Sequence, residues 1–226
     1  MLDDSDWSHK AWMSKVDADL FEQILLRQAE AADRLDVLEW GAGRSTLYFT
    51  NLLRQLGHNF NWVAVEYDRA YFHNELEPKL STVPGVEVAF IDTGRRAAPA
   101  RLPRPDQGIT FAIFDHGKLS PFLANHEADR LPDLDAYVDF PRDFGQRFDL
   151  ILVDGRKRRR CLLAAADSLK PNGVTLIHDA YRSYYHCAFE RYHSHRPIGE
   201  ILWIGSNEAT DFSQWLAPAD PPGRVD

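Results

Sequence analysis

Residues 37–46 read Val37-Leu38-Glu39-Trp40-Gly41-Ala42-Gly43-Arg44-Ser45-Thr46, and the order of residue types in this stretch decides the fold. Its apolar start predicts a buried strand over about 35–40. Gly41-x-Gly43 then ends the strand in a turn where a ligand can approach bare backbone. Residues 45–56 carry a helical pattern, so a helix N-terminus with free N–H groups would face the same ligand. A second strand, over 61–66, closes on Glu66. A carboxylate at the tip of the second strand of such a unit is placed to accept both hydroxyls of a ribose.

The same alternation continues along the chain. Strands are expected over 86–91, ending at Asp92, over 148–153, ending at Asp154, and over 174–178, ending at His178-Asp179, with a short apolar strand-like run over 109–114. Helices are expected over 17–33, over 69–81, from the residues after Asp154 to Leu169, and over 182–193, with a turn over 170–173. Residues 93–108 and 115–145 read as loop, and residues 199–205 and 211–216 as a closing hairpin. Strands alternating with helices predict an α/β fold, a Rossmann-like doubly wound sheet that is mostly parallel with a C-terminal antiparallel strand. Ligands of such sheets bind beyond the carboxyl ends of the strands. Glu39, Glu66, Asp92, Asp154 and Asp179 all fall there; each alone is an ordinary helix cap, and together they outline one cleft.

Two cofactor classes use a glycine turn of this kind. A dinucleotide site wants G-x-G-x-x-G, and here the third position is Thr46. S-adenosylmethionine has no pyrophosphate, so its site needs less anion cradle and more carboxylate, which Glu39 and Glu66 provide. Glu39-Trp40-Gly41-Ala42-Gly43-Arg44-Ser45-Thr46 resembles the first motif of the class I S-adenosylmethionine-dependent methyltransferases, in an E-x-G-x-G-x-S-T variant. Val153-Asp154-Gly155-Arg156-x-Arg158-x-x-Cys161 is similar to a V-D-G-R-x-R-x-x-C signature of a group of small methyltransferases, and a weaker similarity reaches toward enzymes that O-methylate sugars of polysaccharides. The resemblance spans roughly residues 35–205.

The resemblance implies a cofactor site made of Glu39 (amino group), Gly41 and Gly43 (methionine part), Ser45 and Thr46 (helix start), Glu66 (ribose), Tyr67 (adenine face) and Asp92 (adenine amino group). Asp154, Asp179 and His178 are the candidate catalytic groups, since a hydroxyl nucleophile must lose its proton as it attacks the methyl group. Arg156, Arg158, Tyr181 and His116 are the candidate acceptor-side residues, His116 also being a possible base. The run Arg156-Lys157-Arg158-Arg159-Arg160 opens a helix, where cations oppose the macrodipole. That placement favours an anion site with arginine forks, Arg156 and Arg158 foremost, and solvated Lys157, Arg159 and Arg160. Metal-dependent relatives place acids at the ends of the two strands that close on Asp154 and Asp179, with an Asn after the second. Ala180 stands at that third position, so Mg²⁺ is not favoured.

Composition sets the remaining bounds. The 226 residues suit one methyltransferase domain over 1–217, with an N-terminal arm and helix over 1–34, an acceptor-side insertion over 93–147 and a disordered tail over 218–226. No apolar run reaches 18 residues, so no membrane contact is expected. Two cysteines, Cys161 and Cys187, and no signal-peptide core suggest a cytoplasmic protein. A net charge of −8 disfavours nucleic acid. The expected function is S-adenosylmethionine-dependent O-methylation of a hydroxylated small molecule or sugar, anionic acceptors included. The rivals are a noncatalytic S-adenosylmethionine-binding or partner-binding module and an NAD-dependent oxidoreductase, which Thr46 argues against.

Overall fold

Strand β1 (Leu35–Trp40) is buried along its whole length, its acids Asp36 and Glu39 included, and it takes the middle of the sheet. The computed structural model describes residues 11, 13–91, 108–115 and 133–216. Among these, eight strands form one sheet in the order β3-β4-β2-β1-β5-β6-β8-β7. Besides β1 they are β2 (Phe60–Glu66), β3 (Val86–Ile91), β4 (Gly108–Phe114), β5 (Phe148–Val153), β6 (Leu169–Ile177), β7 (Ser194–Ile198) and β8 (Leu202–Ser206). All pairings from β3 to β6 are parallel, and β8 runs antiparallel to both β6 and β7. The mostly parallel, doubly wound reading is therefore the observed architecture.

Alternating side chains divide the core in two. Leu35 and Val37 of β1 point to a cluster completed by α1 (Lys15–Glu30), α2 (Arg44–Gln55) and α3 (Arg69–Tyr71, continuing as a π turn, Phe72–Leu76, and an α turn, Glu77–Leu80). Leu38 and Trp40 point the other way, to α4 (Asp135–Phe144), α5 (Arg158–Ser168) and a 3₁₀ helix (Ser183–Arg191). A parallel sheet covered on both faces needs such near-continuous apolar strands. Among the described residues no helix is long and apolar enough to cross a membrane.

Several expectations are corrected. The strand-like run over 109–114 is a strand, β4, but it lies between β2 and β3, so β3 becomes the edge strand, most of it partly or fully exposed. The segment read as loop over 115–145 holds α4. Helix α5 starts only at Arg158, because Lys157 adopts a left-handed backbone with φ of 55°. The helix expected over 182–193 is the 3₁₀ helix.

The closing hairpin is β7–β8, not 199–205 with 211–216; the latter segment holds a 3₁₀ turn, Phe212–Gln214. Its position is fixed from α1. The buried Asp17 carboxylate accepts the backbone N–H groups of Glu200 (2.7 Å) and Ile201 (3.2 Å). Gly199, with φ of +58°, lies so close that a Cβ there would meet Asp17 Oδ1. The polar Ser194-His195-Arg196 start of β7 hid this strand from a hydrophobic pattern. The N-terminal arm with Trp7 and Trp12, most of the insertion and the tail lie outside the described residues.

Candidate functional site

From β1 the chain winds one way to β2, and β5 lies on the other side of β1, so the carboxyl ends of β1 and β5 form the switch point where open α/β sheets bind ligands. A cavity of about 370 Å³ lies there, walled by residues 41–45, 66–68, 71, 154–156 and 158. That volume lies within the usual range of small-molecule sites.

The glycines divide the work. Gly41, with φ of +98°, packs against the loop after β5: a Cβ there would stand 2.6 Å from Gly155 N. Gly155 is equally confined, between Tyr137 Oη and the Gly41 backbone. These two glycines let the ends of β1 and β5 interlock. Gly43 is extended, and a Cβ there would meet nothing nearer than Tyr71 Oη at 3.6 Å. Its missing side chain leaves space in the cavity.

Glu39 stands behind the glycines, wholly buried. It accepts hydrogen bonds from Ser45 Oγ (2.5 Å), Thr46 Oγ1 (2.6 Å) and Trp62 Nε1 (2.8 Å). Thr46 Oγ1 in turn accepts from the Gly43 N–H at 3.0 Å. The E-x-G-x-G-x-S-T pattern is thus a hydrogen-bonded unit that shapes the turn. Burial, only partly offset by these donors, pushes the Glu39 carboxyl up to about 7. Neither Glu39 nor Thr46 lines the cavity, so Glu39 is placed to shape the loop and not to meet a ligand amino group.

Glu66 does line the cavity. One of its oxygens accepts the backbone N–H groups of Tyr67 and Asp68, both at 2.8 Å. Burial outweighs these bonds and pushes its carboxyl up to about 8. Asp68 caps α3 through the Tyr71 N–H at 3.0 Å and lines the same wall with Tyr67 and Tyr71.

The opposite wall is held by Arg158. Its guanidinium donates to the carbonyls of Gly155 (2.9 Å), Asp154 (2.9 Å) and His178 (2.5 Å). It also pairs with Asp154 Oδ1 and Asp179 Oδ2, both at 3.1 Å. Arg182 Nη2 donates to the same Asp179 oxygen at 2.9 Å. Asp179 itself has a left-handed backbone, φ 61°. His178 is buried, with Nδ1 at 3.1 Å from Asp154 Oδ1. Burial alone would lower the His178 pKa, but the bond to Asp154 and the charges of Asp154 and Asp179 together raise it. Among the described residues no group of three or more His, Cys, Asp or Glu side chains is arranged to hold a metal ion.

The structure therefore brings Gly41, Gly43, Ser45, Glu66, Tyr67, Asp154, Arg156 and Arg158 to one cavity. Arg158, expected to meet an acceptor anion, is spent on the clamp. Arg156 donates from Nε to Tyr67 Oη at 3.3 Å across the cavity mouth. Lys157, expected to be solvated, is buried, and Arg160 pairs with Asp135. Tyr181 is exposed and lies off this cavity. Asp92 and His116 lie outside the described residues. Because β4 separates β3 from β2, the strand beside β2 ends at Phe114-Asp115, and Asp115 pairs with Arg69 at 3.6 Å. Arg44, Asp68, Tyr71 and Gly155 line the cavity without having been singled out; Arg44 and Gly155 sat inside the two quoted motifs.

No model of a known protein family matches the chain, and no curated protein matches it. Among solved structures it is similar to a methyltransferase-like protein from Silicibacter pomeroyi, with 21% identity, 87% of each chain covered and a TM-score of 0.55. Looser matches are a probable spermidine synthase from Corynebacterium glutamicum (14% identity, 85% of this chain and 65% of that one, TM-score 0.45) and the methyltransferase CcbJ from Streptomyces caelestis (15%, 69% and 47%, TM-score 0.36). The chain has the Rossmann-like α/β fold of the Silicibacter protein.

Proposed function

We propose that the chain is an S-adenosylmethionine-dependent methyltransferase that O-methylates a hydroxylated small molecule or sugar. The observation that carries this reading is one cavity at the β1–β5 switch point, with the open Gly43 backbone on one side and the Glu66 carboxylate on the other. The bound donor supplies an electrophilic methyl group on a sulfonium. Gly43 leaves room for the methionine part, and Arg44, at the first turn of α2, faces its carboxylate. Glu66 takes the ribose hydroxyls, and Tyr67 lies toward the adenine.

On the acceptor side, Asp154 lines the cavity and is the group placed to take the proton of an acceptor hydroxyl. Arg158 and His178 hold its carboxylate in one orientation, and alignment of hydroxyl and methyl group carries most of the acceleration. With Arg158 engaged, an anionic acceptor would meet Arg156 at the cavity mouth. The test is calorimetric titration with S-adenosylhomocysteine. Wild type should bind at micromolar Kd, and Glu66→Ala should weaken binding by about 100-fold, the loss of two ribose hydrogen bonds. Absence of binding, or equal binding by Glu66→Ala, would overturn the reading.

A further inference from the structure

A second cavity, of about 470 Å³, lies beyond Asp179, between the 3₁₀ helix and the β7–β8 hairpin. The Ala180 N–H donates to the Ile201 carbonyl at 2.8 Å, joining the exit of β6 to the hairpin turn and closing one end of this space. Its wall is a ladder of rings. Phe189 stacks on Trp203 with centroids 4.3 Å apart and planes at 17°. His186 lies 5.1 Å from Phe189 and His195 5.7 Å from Trp203.

The residues that line the cavity include two carboxylates, Glu190 and Glu200, and no lysine or arginine. Arg182, the cation close to the rim residue Tyr181, is bound to Asp179. The indole N–H of Trp203 is buried and has no acceptor among the described residues, although buried polar groups normally find partners.

From this combination we infer that the cavity is a binding site for a small organic cation, a flat aromatic ring bearing a protonated amine. The exposed rings of Tyr181, His186 and His195, backed by the buried Phe189–Trp203 stack, offer aromatic surface for a ring to lie against. The two carboxylates favour an ammonium group and oppose a carboxylate or phosphate. Aromatic faces add attraction for a cation, and an uncharged ring would gain the wall contacts alone. The inference does not depend on methyl transfer, because none of these residues lines the β1–β5 cavity.

The experiment uses the full chain with saturating S-adenosylhomocysteine, so that the first cavity does not report. Tyramine, the uncharged 4-ethylphenol and the anionic 3-(4-hydroxyphenyl)propionate are titrated by ligand-observed NMR. Tyramine should bind about tenfold more tightly than 4-ethylphenol, and the propionate most weakly. Glu190→Gln/Glu200→Gln should bring tyramine to the level of 4-ethylphenol, leaving 4-ethylphenol and S-adenosylhomocysteine unchanged. Equal binding of tyramine and 4-ethylphenol, no tyramine binding, or an undiminished tyramine affinity in the double variant would each overturn the proposal. Failure of S-adenosylhomocysteine to bind at all would instead remove the methyltransferase reading and leave this one to be decided by the tyramine series.

Discussion

The two walls of the main cleft both carry acids at strand ends, yet they satisfy them by different means. On the β1–β2 wall, Glu39 and Glu66 are met by neutral donors: two hydroxyls, an indole and backbone N–H groups. On the β5–β6 wall, Asp154 and Asp179 are met by guanidiniums. Neutral donors leave a buried carboxyl reluctant to ionise, and both glutamates are pushed upward. Arginines instead match the charge within the protein. The first wall therefore keeps hydrogen-bonding capacity that a ligand can complete, whereas the second is a charge-balanced frame. Acids that look equivalent in a sequence differ in function according to who already holds them.

The largest expected effect tests whether the two walls are locked together. Gly41→Ala forces a Cβ into the Gly155 backbone, 2.6 Å away, at a φ of +98°. It should cost about 3 kcal/mol or more of stability, measured by urea unfolding. Gly43→Ala, with no atom nearer than 3.6 Å, should change stability by less than about 0.5 kcal/mol while weakening S-adenosylhomocysteine binding. Equal stability of the two variants would show that the walls are not interlocked there.

Next in size is the frame itself. Arg158→Ala leaves Asp154 and Asp179 without their shared cation, in sites where the three side chains are 12–20% exposed. Breaking such a largely buried pair should cost about 2–3 kcal/mol, less than a fully buried one. Arg158→Lys should recover only part of this, since an ammonium cannot reach three carbonyls and two carboxylates at once. In the folded fraction, S-adenosylhomocysteine affinity should fall less than in Glu66→Ala. The reverse order would reassign the donor site to the second wall.

The sequence made the first wall legible and obscured the second. Gly43 and Glu66 are separated by one strand-helix-strand unit, and their meeting at one cavity follows from the pattern of that unit, whereas the packing of Gly41 on Gly155 does not, because Gly155 follows β5. The role of Glu39 did not follow, because its third donor, Trp62, comes from the neighbouring strand and is invisible to local pattern. Arg158 read as a ligand-binding cation because nothing in the run 156–160 shows that Asp179 and the His178 carbonyl return to it from β6. The strands along the parallel part of the sheet were legible, the run over 109–114 among them, but the place of β4 between β2 and β3 was not, because it rests on pairing between segments distant in sequence. Its insertion makes β3 an edge strand and ends the strand beside β2 at Phe114-Asp115.

A third prediction contrasts the walls by pH. Glu39 and Glu66 ordinarily titrate near 4.5 and are raised to about 7 and about 8 in the fold. Between those values the unfolded chain has released protons that the native protein keeps. Their contribution to stability is fully present below 4.5 and is lost as pH rises through 7 to 8. His178, also raised, acts in the same direction above its ordinary value of 6.5. The thermal midpoint should fall steadily from pH 5.5 to 8.5. Glu39→Gln/Glu66→Gln should flatten that slope; an unchanged slope would place the titration elsewhere.

The smallest expected effect concerns divalent cations. Asp154 Oδ1 is shared between Arg158 and His178, and Asp179 Oδ2 between Arg158 and Arg182. Mg²⁺ wants several oxygen ligands in near-octahedral order. To bind through these two oxygens it would have to displace two guanidiniums, and Ala180 offers no side-chain oxygen to reward the exchange. Millimolar Mg²⁺ or EDTA should therefore shift S-adenosylhomocysteine affinity by less than about twofold and the thermal midpoint by less than about 1 °C. A larger shift in wild type that is enhanced in Arg158→Ala would mean that arginine and metal compete for one site, and that the second wall is a regulated binding wall in its own right.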